Sequence, residues 1–147
     1  MMAAMDTDTI DRLRGALTRI SRRIDRQVSG GGLTSTQLSV LASVSVRGPI
    51  VLGELADSEG INPTMLSRVV GKLEDAGLVQ RESDRDDRRV VRVAVTPAGV
   101  RLRKRLLADR SRLLAERLAE LAPETIGVLV AAIPALEMLA DELAPRR

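Results

Sequence analysis

Apolar residues recur three or four positions apart along most of the chain, and breaks in that rhythm divide it into elements. Ile10, Leu13, Leu17, Ile20, Ile24 and Val28 share one face of a helix predicted over residues 8–28. Asp6, Asp8 and Asp11 stand near its start, where the helix dipole favours negative charge. Gly30, Gly31 and Gly32 then break it. Thr34 and Gln37 have the T-x-x-Q spacing of a capping box and open a second helix, ending near Arg47, Gly48 and Pro49. A short apolar link at residues 50–52 leads to a brief helix stopped at Gly60. Asn62 as N-cap and Pro63 at the first helical position start a fourth helix, which runs to Gly77.

The period then changes to two. Residues 79–83 and 90–95 read as paired strands, with Val91, Val93 and Val95 alternating with Val90, Arg92 and Ala94. Between them lies a charged loop, Asp84-Arg85-Asp86-Asp87-Arg88-Arg89. Thr96-Pro97 repeats the N-cap signal and begins a long helix to about Leu121, and Ala122-Pro123-Glu124 restarts a last one through about Leu143. Pro134 inside that last helix should kink it, because the carbonyl of Val130 loses its donor. The chain therefore reads as mainly α with one small β-hairpin. Leu102, Leu106, Leu113, Leu118, Leu129, Ile133, Leu136 and Leu139 add a second aliphatic surface to that of the first helix. Such surface at both ends of the chain predicts a homodimer interface. A monomeric helical bundle is the alternative.

Composition narrows the chemistry. The 147 residues suit one domain, with a net charge of only +3. Cys, His, Phe, Trp and Tyr are all absent. That excludes disulfides, thiol redox switches and thiolate or imidazole metal sites, and no cofactor is expected. It also removes the commonest general base, and no paired carboxylates converge in a recognisable motif, so an enzyme is the weakest reading. Of 23 basic residues only Lys72 and Lys104 are lysines, a bias typical of a GC-rich bacterial genome. Residues 27–46 carry no charge but are rich in Ser, Thr, Gln and Gly, while the apolar run at 125–136 is short of the ~20 residues a membrane span needs. The opening MMAAMDTD has no basic region and does not read as a signal peptide, which makes the cytoplasm the expected location.

Residues 52–70 (LGELADSEGINPTMLSRVV) carry the functional signal. Small Ala56 suits a helix crossing, and Gly60 suits the tight turn of a helix-turn-helix. On the second of these helices Leu66, Val69, Val70 and Leu73 form the stripe expected to be buried. Thr64, Ser67, Arg68 and Gly71 form the opposite one, with Lys72 beside them. A guanidinium pairs with guanine O6 and N7, and small hydroxyls contact bases or phosphates. Asn62 and Pro63 leave the helix start free to face a phosphate. An ordinary solvated face would carry more Glu and Lys, and Gly71 costs about 1 kcal/mol relative to Ala without structural return. The hairpin tip occupies the place of a wing, where an arginine such as Arg85 or Arg88 can enter a minor groove. Because the tip holds as many Asp as Arg, one Asp is expected to fix one Arg while another Arg stays free. Just beyond the wing, residues 97–117 hold seven basic and two acidic side chains, an excess suited to steering DNA.

From about Leu33 to Gly99 the chain resembles the MarR family of bacterial transcription regulators. The matching residues are Leu33-Thr34 with Gln37 and Leu41, Leu55-Ala56, Leu73-Glu74, Gly77-Leu78-Val79 with Arg81, Asp87-Arg88-Arg89, and Thr96 with Gly99. The resemblance implies a winged helix-turn-helix lobe over residues 33–96, dimerisation helices at 6–29 and 97–147, and a homodimer that represses from a palindromic operator in double-stranded DNA. It implies that Asp87 pairs with Arg89 and that Arg88 reaches the minor groove. Val51 stands where many members have a Thr or Ser cap, and Arg85 where a Pro is common. Many relatives respond to aromatic anions held between the lobe and the dimerisation helices, and here Arg19 and Arg23 are the candidate partners of such an effector. The competing class is a winged-helix protein-interaction module, against which the free guanidiniums of Arg68 and Arg88 argue.

Overall fold

Short-range capping explains where the helices begin. The computed structural model describes residues 5–28 and 30–143; residues 1–4, 29 and 144–147, which include the outermost parts of the segments expected to dimerise, lie outside that description. Helix α1 (Thr7–Gln27) starts at Asp6, whose carboxylate accepts from the Thr9 backbone N–H at 2.6 Å. That bond, seconded by the Thr9 side chain, holds the Asp6 pKa below the ordinary carboxylate value. Helix α2 (Ser35–Arg47) starts with a reciprocal capping box. The Thr34 N–H donates to Gln37 Oε1 at 2.7 Å, and the Gln37 N–H donates to Thr34 Oγ1 at 3.3 Å. Helix α4 (Pro63–Asp75) is capped by Asn62 Oδ1, which accepts from the Met65 N–H at 2.8 Å. Between them, α3 (Leu52–Glu59) starts at Val51 without a side-chain cap and ends at Gly60, whose φ of 64° is the left-handed turn of the helix-turn-helix.

Three short strands follow the antiparallel order β1-β3-β2. Strands β2 (Val79–Ser83) and β3 (Val91–Val95) form the hairpin, with Arg81 opposite Val93. Strand β1 (Ile50–Val51) lies on the other side of β3, with Ile50 opposite Val93. The sequence pattern reads those two residues as a link, because a two-residue strand has no periodicity and is defined only by its partner. The core sits between this sheet and α2, α3 and α4. Leu41, Val44, Leu55, Leu66, Val70, Leu73 and Val93 are at most 1% exposed.

Helix α5 (Pro97–Leu118) leaves the sheet and α6 (Pro123–Glu142) follows it. Thr96 caps α5 through the Gly99 N–H at 3.1 Å, and its hydroxyl donates to the Gly77 carbonyl at 2.6 Å. A Cβ at Gly99 would stand 2.1 Å from the Leu78 carbonyl oxygen, so only glycine allows α5 to pack there. The T-x-x-G motif thus stitches α5 to the turn after α4. Helix α6 passes through Pro134 as one element and ends near the expected residue, whereas α5 stops about three residues before Leu121. None of the described residues of α1 or α6 is buried. Helix α6 is long and apolar enough, by length and composition, to cross a membrane, a wider apolar extent than the run at 125–136.

Candidate nucleic-acid interface

Helix α4 turns Leu66, Val69, Val70 and Leu73 into the core, so Thr64, Ser67, Arg68 and Lys72 are exposed on its other side. Asn62 and Pro63 are exposed at its start. Arg68 and Lys72 take part in none of the ion pairs of the described residues. Together with the start of α2, this face borders an open groove of about 1160 Å³, with Thr34 and Thr36 on one wall and Thr64, Arg68 and Lys72 on the other. Gly71 also borders the groove, and a Cβ there would meet nothing within 4 Å. Internal packing therefore does not require glycine at that position. Thr36 and Asp75, which also line the groove, carry no signal in the sequence pattern; the groove exists only because α2 and α4 pack side by side.

Arg81 ties the wing to this helix. Its Nη1 donates to Glu74 Oε2 at 2.8 Å, and its backbone N–H to Glu74 Oε1 at 3.1 Å. Its Nη2 donates to the Ser67 carbonyl at 3.0 Å and lies 3.4 Å from Ser67 Oγ. As the Ser67 oxygen accepts from Arg81, its own hydrogen is left to donate outward. The family pattern singles out Arg81, but its partners, seven and fourteen residues earlier in the chain, come together only in the fold.

At the wing the expected Asp87–Arg89 pairing takes another form. Asp87 accepts from the Arg89 backbone N–H at 3.0 Å, and no ion pair between the two side chains occurs among the described residues. A short aspartate side chain readily reaches the N–H two residues on, and an ion pair between two exposed groups would add little. The ion pair of the wing is instead Arg92 with Asp84, at 2.8 Å from Nε to Oδ2. Asp84 Oδ1 also accepts from the N–H groups of Asp86 and Asp87, at 2.9 and 3.3 Å. The Arg92 hydrogen bond, followed by those of Asp86 and Asp87, holds the Asp84 pKa below the ordinary carboxylate value. Arg85 and Arg88 are exposed at the tip and belong to no ion pair of the described residues. One aspartate anchoring one arginine while others stay free is the expected design, but Asp84 does the anchoring.

The candidate effector residues both lie on α1. Arg19 and Arg23 are exposed there. The cavity between α1, α2 and α5, about 330 Å³, is bordered by Ser21, Asp25, Ser39 and Arg110. Arg110 Nη2 pairs with Asp25 Oδ1 at 2.9 Å, and its Nε is buried without a hydrogen-bond partner. The sequence pattern counts Arg110 only within the basic excess of residues 97–117, since its partner Asp25 lies 85 residues away.

Known proteins share this geometry. The MarR family model matches residues 33–91, which span α2 to the start of β3. An uncharacterised HTH-type transcriptional regulator of Mycobacterium bovis is 33% identical over 86% of this chain and 89% of its own length. The HTH-type transcriptional repressor MdtR of Bacillus subtilis is 28% identical over 76% of this chain and 72% of its own. The solved structure of a MarR family protein from Bacillus stearothermophilus covers 94% of this chain and 99% of its own, with 24% identity and a TM-score of 0.74, which establishes a shared fold. With a winged helix-turn-helix in place and a relative one-third identical over nearly its full length, the chain belongs to the MarR family of transcriptional regulators.

Proposed function

We propose that this regulator is a homodimeric, sequence-specific repressor that binds a palindromic operator through α4 and the wing. The observation that carries the reading is the placement of uncommitted cations. Arg68 and Lys72 on α4, and Arg85 and Arg88 at the wing tip, are all exposed and outside the ion pairs of the described residues. Two other arginines of the lobe are held, Arg81 by Glu74 and Arg92 by Asp84, while Arg89 at the tip is exposed and outside those ion pairs as well. Arg68, flanked by Thr64 and Ser67, reads base edges in a major groove, with the Asn62–Pro63 helix start at a phosphate. Arg88 and Arg85 follow the adjacent minor groove, and Asp87 and Arg89 shape the tip. Residues 33–96 form the DNA-binding lobe. Residues 6–29 and 97–147 join two copies, so the half-site centres lie about one helical turn, ~10 bp, or a small multiple apart.

Repression as the direction of control follows MdtR, a transcriptional repressor 28% identical over 76% of this chain. A second copy of the chain, rather than lipid, covers α6, because Glu137 stands inside the helix, where a carboxylate is costly in a bilayer. With the chromosome as target, the protein acts in the cytoplasm. An effector would be a small aromatic or anionic molecule held between the lobe and the dimerisation helices, where the α1–α2–α5 cavity lies, with Arg19 and Arg23 of α1 as its candidate cations. Selection of genomic fragments bound by the protein, followed by mobility shifts across a salt series, tests the DNA reading. A palindromic consensus with steep salt dependence is expected. Equal retention of all fragments would instead favour the protein-interaction module.

A further inference from the structure

We propose that Glu59 is a positioning residue for α4, held in register by Ser39 and Ser43 of α2. Glu59 is the last residue of α3, where the helix dipole disfavours a carboxylate. Its Oε2 accepts from Ser39 Oγ at 2.6 Å, and its Oε1 accepts from the Ser43 hydroxyl. The two serines stand one turn apart on α2, so a single helix face grips both oxygens of one carboxylate. Glu59 belongs to no ion pair of the described residues. Hydrogen bonds to an ionised group are roughly twice as strong as neutral ones, and they fix direction. The apolar packing beneath α3 and α4 does not, since hydrophobic burial is non-directional.

The chain from Glu59 to α4 is short and tied. The Gly60 N–H donates to the Asp57 carbonyl at 3.3 Å, and the Ile61 N–H to the Ala56 carbonyl at 3.2 Å. Asn62, the N-cap of α4, follows directly. A rotation of the end of α3 must therefore move the start of α4. Ser39 also borders the α1–α2–α5 cavity, so the same hydroxyl that holds Glu59 stands at the wall where an effector would lie. The positioning role itself needs no effector. It rests on α4 being the helix that reads DNA.

Charge and position act in opposite directions here, which makes the role measurable. Removing a negative charge from the lobe should strengthen binding to every duplex. Loss of positioning should weaken binding only to the preferred sequence. The probe is the tightest duplex selected from a random pool by the parent protein, compared with its scrambled version. Glu59→Ala and the double variant Ser39→Ala/Ser43→Ala should each lower affinity for the selected duplex on the order of tenfold, with scrambled binding unchanged or tighter. Glu59→Gln, which keeps an acceptor, should recover part of the loss. Removing all three groups together should cost no more than Glu59→Ala alone. Thermal melting accompanies each variant. The proposal is overturned if every variant keeps the parent ratio of selected to scrambled affinity, or if both affinities fall in step with melting temperature. If the parent itself does not distinguish the two duplexes, the DNA-reading assignment of α4 fails and takes this inference with it.

Discussion

The winged helix-turn-helix lobe and the terminal helices are built from the same aliphatic residues, yet they bury them differently. Leu41, Leu55, Leu66 and Leu73 are almost wholly enclosed in the lobe, whereas Ile133 and Ile20 of α6 and α1 are 47% and 52% exposed. No described residue of either terminal helix is buried. Lobe stability is therefore a property of one chain. The terminal helices carry apolar stripes that only another surface can cover. An amphipathic pattern states that a face will be covered; it does not state by what.

The sharpest way to break the lobe is at Gly99, whose Cβ would collide with the Leu78 carbonyl oxygen at 2.1 Å. Gly99→Ala should cost about 3 kcal/mol or more in urea unfolding, measured beside the parent at the same protein concentration. Ile133→Asp attacks the other region. An unpaired carboxylate facing an apolar interface costs about 3 kcal/mol or more, so the variant should sediment as a monomer while retaining the far-ultraviolet spectrum of a folded lobe. A parent protein that already sediments as a compact monomer at micromolar concentration would remove the contrast between the regions.

Smaller effects sharpen the division inside the lobe. Arg68→Ala should cost ~1–3 kcal/mol on the selected operator and relax preference at one position of each half-site. Arg88→Ala should weaken selected and scrambled duplexes together and lower the salt slope by roughly one for each phosphate that the wing then leaves unneutralised. An unchanged slope would show that the hairpin is not a DNA-binding wing. The smallest effect concerns pH. Asp84 has a lowered pKa in the fold, so its contribution to wing order is complete above the ordinary carboxylate value and is lost as pH falls through the lowered one. Amide exchange at Asp86 and Asp87, corrected for intrinsic rates, should accelerate in that acidic window, and in Asp84→Asn at neutral pH. With no His or Cys in the chain, operator binding should be nearly flat from about pH 6 to 8.

Much of the fold was legible because its causes are local. A cap is decided by residues three apart, as at Thr34 with Gln37, Asn62 with Met65, and Thr96 with Gly99, and each is realised where the sequence places it. The exposed face of α4 follows from the same periodicity that buries Leu66 and Leu73. By itself, the sequence thus determined the helices, the hairpin, the family and the order in which the helix-turn-helix and the hairpin appear. Tertiary structure alone decided which groups meet across many residues. It made β1 a strand by setting Ile50 beside Val93, put the ion pair of the wing at Asp84 and Arg92 rather than at Asp87 and Arg89, and joined Arg110 to Asp25 and Glu59 to two serines of α2. Local capping acts through bonds that one turn of chain can close. These other pairings depend on the packing of separate elements, whose relative placement no periodicity along the chain records.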